Sequence, residues 1–215
     1  MRLLVARHGA TQHNLEARFT GQIDAPLSDL GIRQAEALAD RLATMRFDAI
    51  VSSDLIRAQV TAECIARRHG ATVYFDPELR EIHLGAWEGQ SIAAVRLATP
   101  DLTQRIECDP TGETAPPAGE SWAHFTQRID NARARWADLF PDGYVLWVAH
   151  GGVMSALLLC ALRLNFAQRS QFARGNTSLL EIDYQAHWPV ILRVNDTAHL
   201  DGMTHETEGE RFQAL

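Results

Sequence analysis

The chain has no lysine. All 20 of its cationic side chains are arginine, which excludes a Schiff-base amine and the lysine of a P-loop. Cysteine is sparse: Cys64, Cys108 and Cys160 are odd in number and far apart, so neither a disulfide framework nor zinc-ligand spacing is visible. Long apolar runs are missing too. None approaches the ~18 residues of a transmembrane helix, and Met1 to Ala6 is too short for a signal-peptide core before Arg7 interrupts it. A net charge of −7 argues against a general nucleic-acid or anionic-membrane binder. A cytoplasmic, soluble protein is the expectation, and a homodimer is compatible with it.

What is present is ordinary for a globular domain: 46% apolar and 22% charged residues over 215 positions. That length predicts one domain, 1–215, able to bury a core without staples. Leu3 to Ala6, Ala49 to Val51, Thr72 to Phe75 and Val145 to Ala149 are continuous apolar runs, the pattern of strands buried on both faces. Leu179 to Ile182 and Val190 to Val194 read as late strands. Between them lie helical stripes. One is Ala35, Leu38, Ala39 and Leu42, with Ser28 or Asp29 as cap. A second is Ala58, Thr61, Ala62 and Ile65. The third runs Trp122, Phe125, Ile129, Ala132, Trp136 and Leu139, capped by Ser121 and stopped by Pro141-Asp142-Gly143. Val153 to Leu164 is apolar nearly all round, as a buried helix is. Alternating strand and helix predicts an α/β fold with a mostly parallel sheet. The Pro-, Gly- and Thr-rich stretch from Ala98 to Glu120 (about 98–120) reads as a long loop or small insertion near the site.

Open α/β sheets bind ligands beyond the carboxyl ends of their strands. Arg7 and His8 stand at one such end, and His150 at another, in "VLWVAHGGVM". A glycine follows each histidine and lets a ligand approach the backbone. In "SSDLIRAQVTA" the layout repeats, with Arg57 in the first turn of a helix. The helix dipole disfavours a cation there, so Arg57 is expected to meet an anion. Asn14 could add a neutral donor. Together these groups outline a phosphate-shaped pocket. A lone strand-end histidine is more often a packing or capping group, so the joint placement carries the argument. His8 and His13 could ligate a metal, but no further ligand set stands at familiar spacing. His69, His83, His124, His187, His199 and His205 read as surface, packing or capping residues.

"RHGATQHN", "FTGQIDAPLSDLG", "SSDLIRAQVTA", "ELREIHLGAWEG" and "VAHGG" stand in order between Arg7 and Gly152. Together they resemble the histidine phosphatase superfamily, in its phosphoglycerate mutase-like branch, and "NDTAHL" near the end is similar to that branch as well. The resemblance implies a three-layer α/β/α sandwich around a six-stranded mixed sheet. It also implies that His8 is the nucleophile that becomes a phosphohistidine, and that Arg7, Arg57 and His150 bind the phosphoryl oxygens with help from Asn14. By the same resemblance Glu81 is the proton donor, while Gly21, Gln22 and the backbone of Gly151 border the substrate. No metal and no cofactor is implied. This chain departs from the family pattern at Ala10, where an acidic or amide residue is frequent, and at Val60, where glutamine is usual.

Such chemistry has definite demands. The attacking imidazole nitrogen must be neutral, and a carbonyl accepting from the other nitrogen would fix that tautomer. Fixed cations stabilise the spread charge of the transferring phosphoryl group. The expected function is therefore a metal-independent phosphatase acting on a small phosphorylated metabolite. A phosphoglycerate mutase is the alternative, and a non-catalytic phospho-ligand binding module a second one. The mutases of the family grip a substrate carboxylate with a lysine and extra arginines. They also carry a longer insertion and a tyrosine shortly after the acid. Here there is no lysine, Ala98 to Glu120 holds only Arg105, and His83 and Leu84 follow the acid motif.

Overall fold

The protein's structure, a computed structural model, describes residues 1–203. His205, and the last residues of the expected 1–215 domain, lie outside the described residues. In chain order the elements are β1 (Arg2–Arg7), α1 (Gln12–Leu15), α2 (Asp29–Leu42), β2 (Ala49–Ser52), α3 (Ile56–His69) and β3 (Val73–Phe75). Then follow α4 (Ile92–Ala98), α5 (Pro100–Cys108), α6 (Trp122–Leu139), β4 (Tyr144–Ala149), α7 (Gly151–Leu162), β5 (Leu179–Asp183) and β6 (Val190–Asp196). The six strands form one sheet in the order β3-β2-β4-β1-β5-β6. β3, β2, β4 and β1 are mutually parallel, and β5 runs antiparallel to both β1 and β6.

The strands alternate their side chains between two cores. Leu3, Val5, Val145, Trp147 and Ala149 pack against α6 and α7 on one face. Leu4, Ala6, Leu146 and Val148 pack against α2 and α3 on the other. This is the expected three-layer sandwich, and each fully buried Leu or Val in it contributes about 1.5–3 kcal/mol by transfer from water. Helix starts follow from capping chemistry: the Ser28 hydroxyl accepts from Gly31 N and the Ser121 hydroxyl from His124 N. Gly31 is needed for a further reason. A Cβ there would sit 2.0 Å from the Ala10 carbonyl oxygen, so only glycine lets the start of α2 press against the loop after β1.

Three expectations need correction. Thr72 to Phe75 is not buried on both faces, because β3 is an edge strand in which Tyr74 is 53% and Phe75 49% exposed. Leu139 does not join its stripe in the core; it is the last residue of α6 and stands 62% exposed. The stretch about 98–120 is loop only in its second half, since α5 occupies Pro100–Cys108 with its proline in the first turn, where the missing N–H costs nothing. With α4 and the turn around Trp87, α5 builds a separate small apolar cluster of Phe19, Trp87, Val95 and Ile106.

Candidate active site

Sheet register explains why two histidines 142 positions apart meet. In the parallel β1–β4 pair Arg7 lies beside Ala149, so the residues that follow, His8 and His150, are neighbours. His8 N donates to the Ala149 carbonyl at 3.0 Å, and the two imidazole centroids are 5.2 Å apart. β2 adds Ser53 by the same logic, with Ser52 beside Val148. Both rings are buried, His8 at 4% and His150 at 0% exposure.

The His8 Nδ1 lies 2.7 Å from the Gly9 carbonyl oxygen. A carbonyl can only accept, so Nδ1 carries the proton and Nε2 keeps its lone pair. Desolvation, and then the charges of Arg57 and Arg7, hold the ring well below the usual imidazole range, which keeps it neutral. His150 is held neutral by burial, then by Arg57 and His8. Its Nε2 lies 2.9 Å from the Ser53 hydroxyl. That hydroxyl already accepts from Leu55 N, so its own proton is free to go to Nε2. The remaining ring nitrogen, Nδ1, is then an N–H donor, and it has no partner among the described residues.

Of the expected cations, Arg57 is 1% exposed. It donates from Nη1 to the Ile23 carbonyl and from Nη2 to the Gly21 carbonyl, each at 2.8 Å. Burial pulls it down to about 10, partly offset by Glu81, so it stays charged at neutral pH. Arg7 donates to the carbonyl of Arg174. The Glu81 carboxylate accepts from Ile82 N at 3.0 Å and Gly152 N at 3.1 Å. A Cβ on Gly152 would lie 2.0 Å from Glu81 Oε1, so the glycine after "AHG" is what lets the carboxylate approach the start of α7. Asn14 closes a capping box with Thr11 and receives the Asn176 amide at 3.3 Å.

Arg7, His8, Asn14, Gly21, Arg57, Glu81 and Gly151 all line one cavity of about 600 Å³. His150 lies behind it against His8. Gln22 stands beside the lining residues; its amide donates to the Glu81 carbonyl at 3.0 Å. His69 and His199 are half-buried, and His199 meets the Thr177 hydroxyl at 3.0 Å. Among the described residues no cluster of His, Cys, Asp and Glu could hold a metal ion, and no helix is long and apolar enough to cross a membrane.

Four residues escaped the sequence reading. Ser53 orients His150. Asn176 donates to the His8 carbonyl at 3.0 Å, holding the strand end. Arg128 donates to the carbonyls of Glu78 and Arg80 at 2.6 and 3.0 Å and pairs with Glu120, fixing the backbone under Glu81. Arg174 lines the cavity and is pulled down to about 10 by burial and then by Arg7, against the attraction of Glu81. Only Ser53, inside "SSDLIRAQ", carried a local signal. The others depend on segments without apolar periodicity.

A model of the histidine phosphatase superfamily (branch 1) matches residues 3–197. The chain belongs to the histidine phosphatase superfamily. Among its relatives, a probable phosphoglycerate mutase of Yersinia pestis is 35% identical, over 94% of this chain and 95% of its own. The mycobacterial glucosyl-3-phosphoglycerate phosphatase, solved with vanadate, is 34% identical. That match covers 90% of this chain and 98% of the other, with a TM-score of 0.81. A mutant phosphoserine phosphatase of Entamoeba histolytica superposes with a TM-score of 0.85 at 27% identity, covering 93% and 98%. This superfamily member is an enzyme of the phosphomonoesterase type.

The buried rings make a prediction for stability. In the unfolded chain His8 and His150 take up protons as the pH falls through about 6.5; in the folded protein their lowered values delay this. His69 and His199 shift the same way, both through burial. The folded state therefore binds fewer protons in this window, and stability is full above it and declines as the pH drops below it. Urea midpoints should fall between pH 7.5 and pH 5.5. An unchanged midpoint would mean that these rings take up protons as readily in the folded protein as in the unfolded chain.

Proposed function

We propose that the protein hydrolyses small phosphorylated metabolites in the cytoplasm through a phosphohistidine on His8. The observation that carries this is the state of His8. It is a buried neutral imidazole, pinned at Nδ1 by the Gly9 carbonyl, with Nε2 available beside two charged guanidinium groups. Nε2 attacks phosphorus in line, the P–O ester bond breaks, and the leaving oxygen takes the proton of Glu81 in its acid form. Arg7, Arg57 and the Nδ1–H of His150 hold the three phosphoryl oxygens as charge spreads over them. Glu81, now ionised, removes a proton from water. The water oxygen forms the new bond to phosphorus, the N–P bond breaks, and inorganic phosphate leaves. A pure phospho-ligand module would have no use for Glu81 held at the cavity by two backbone donors.

A mutase would return the phosphoryl group to a second hydroxyl, and one relative bears that name. Against it stand the absence of lysine and the tyrosine-free loop "EIHLGAWEG". The test follows the phosphoryl group with 3-phosphoglycerate, with and without 2,3-bisphosphoglycerate. Release of inorganic phosphate, or no reaction on this substrate, is expected, with little isomerisation. Formation of 2-phosphoglycerate much faster than phosphate release would reverse the reading.

The proposed reaction draws its positive charge from guanidinium groups. Prolonged EDTA treatment should accordingly leave the rate of p-nitrophenyl phosphate hydrolysis unchanged. A rate that collapsed and returned with a divalent ion would reject this chemistry.

A further inference from the structure

The cavity does not end where the phosphoryl group would. At about 600 Å³ it lies in the range of pockets that enclose a drug-sized molecule, far more than a phosphoryl group and a three-carbon chain fill. Its two parts differ in chemistry. One part is cationic, with Arg7, Arg57 and Arg174. Beyond it one side is hydrocarbon and aromatic, with Phe19, Trp87 and Ile106 of the small cluster, Ile92 packed on them, and Trp122 and Phe172, which belong to or pack on the main core; neutral polar residues such as Gln34, Ser170 and Thr197 line the rest. Phe19 and Trp87 are stacked, with centroids 5.6 Å apart.

The charges beyond the phosphoryl end do not suit a second anion. Arg169 is 1% exposed and gives its guanidinium to the carbonyls of Ile106, Glu107 and Phe166 at 2.9, 3.3 and 2.8 Å, over the ring of Trp122. Arg18 is bound by Glu16 and by the Gly89 carbonyl. The acidic residue Asp201 is also among those lining the cavity. A substrate carboxylate there would meet repulsion and an apolar wall, and burying it unpaired is costly.

We infer that this apolar wall is a leaving-group subsite, and that the preferred substrates are phosphate monoesters of uncharged alcohols with an aromatic or branched hydrocarbon body. This rests on the phosphatase reading above and names its substrate class. The α4–α5 segment, whose second helix falls in the 98–120 stretch, is then the element that selects the alcohol. Ile92 and Phe172 are only half-buried, so both can be made polar without removing a core side chain.

Phosphonates separate binding from reaction, because their P–C bond is not hydrolysed. Affinity is measured by calorimetry for methyl-, butyl-, hexyl-, phenyl- and 2-carboxyethylphosphonate. A fully buried methylene is worth about fourfold in affinity. Hexyl- and phenylphosphonate should therefore bind at least tenfold tighter than methylphosphonate, and the carboxyethyl compound should gain nothing over methyl. In Ile92→Ser and in Phe172→Ser the gain should shrink several-fold, while inhibition by inorganic phosphate stays as in the wild type. In parallel, turnover of hexyl phosphate and phenyl phosphate is measured. Flat affinities across the series, or tightest binding of the carboxyethyl compound, would overturn the subsite even if the esters are hydrolysed. Graded affinities with no hydrolysis of any ester would leave the subsite standing and reject the reaction instead.

Discussion

His8→Ala should lose at least about 10⁴-fold in kcat on any phosphate monoester, the scale seen when a covalent nucleophile is removed. The fold should survive, since the Gly9 contact of the ring is local and the strand end is held by backbone bonds from His8 N to Ala149 O and from Thr177 N to His8 O. Near- and far-ultraviolet circular dichroism checks that point. The wild type, quenched during turnover, should carry phosphate that is labile in acid and stable in base, the signature of a phosphoramidate on imidazole. The variant should carry none. A His8→Ala protein with near-normal kcat, or a wild type whose trapped phosphate survives acid, would remove the phosphohistidine from the mechanism.

Glu81→Gln should cost about 10²–10⁴-fold in kcat on alkyl phosphates, the usual worth of a positioned general acid. On p-nitrophenyl phosphate, whose leaving oxygen needs little protonation, the loss in the first step should be far smaller. The geometry demands this contrast as a control. Both Glu81 oxygens accept backbone N–H groups, so the amide of glutamine turns an NH₂ toward one donor and loosens the side chain. That loosening affects both kinds of ester alike. Only the dependence of kcat on the leaving group isolates the proton. Equal losses on alkyl and aryl esters would assign Glu81 a positioning role and leave the proton donor unnamed.

The groups that were legible from residue order are those whose role is local. Leu3 to Ala6 and Val145 to Ala149 read as buried strands because strands covered by helices on both faces must be apolar throughout. Ser28 and Ser121 read as caps because a helix start leaves N–H groups that a nearby hydroxyl satisfies. Arg7, His8 and His150 stood out because they gather at strand ends together, where ligands of open α/β sheets bind, although each histidine alone would read as packing. The exposure of Tyr74 and Phe75 was not legible. An apolar run states that burial is favourable, but strand order decides that β3 is an edge.

The chain's own residue order thus determined an α/β fold and the family, and it singled out the candidates His8, His150, Arg7 and Arg57 at strand ends, with Glu81 added by the resemblance of its motif. Tertiary structure decided what turns that set into a site. The pairing of Arg7 with Ala149 puts the two imidazoles 5.2 Å apart. Ser53 settles which His150 nitrogen can donate, Asn176 and Arg128 hold the backbone beneath His8 and Glu81, and α5 supplies part of an apolar wall around the cavity. None of these follows from spacing along the chain. Each is a contact between segments brought together by strand register and helix packing, and the free energy that selects them is gained only when the whole sheet is assembled.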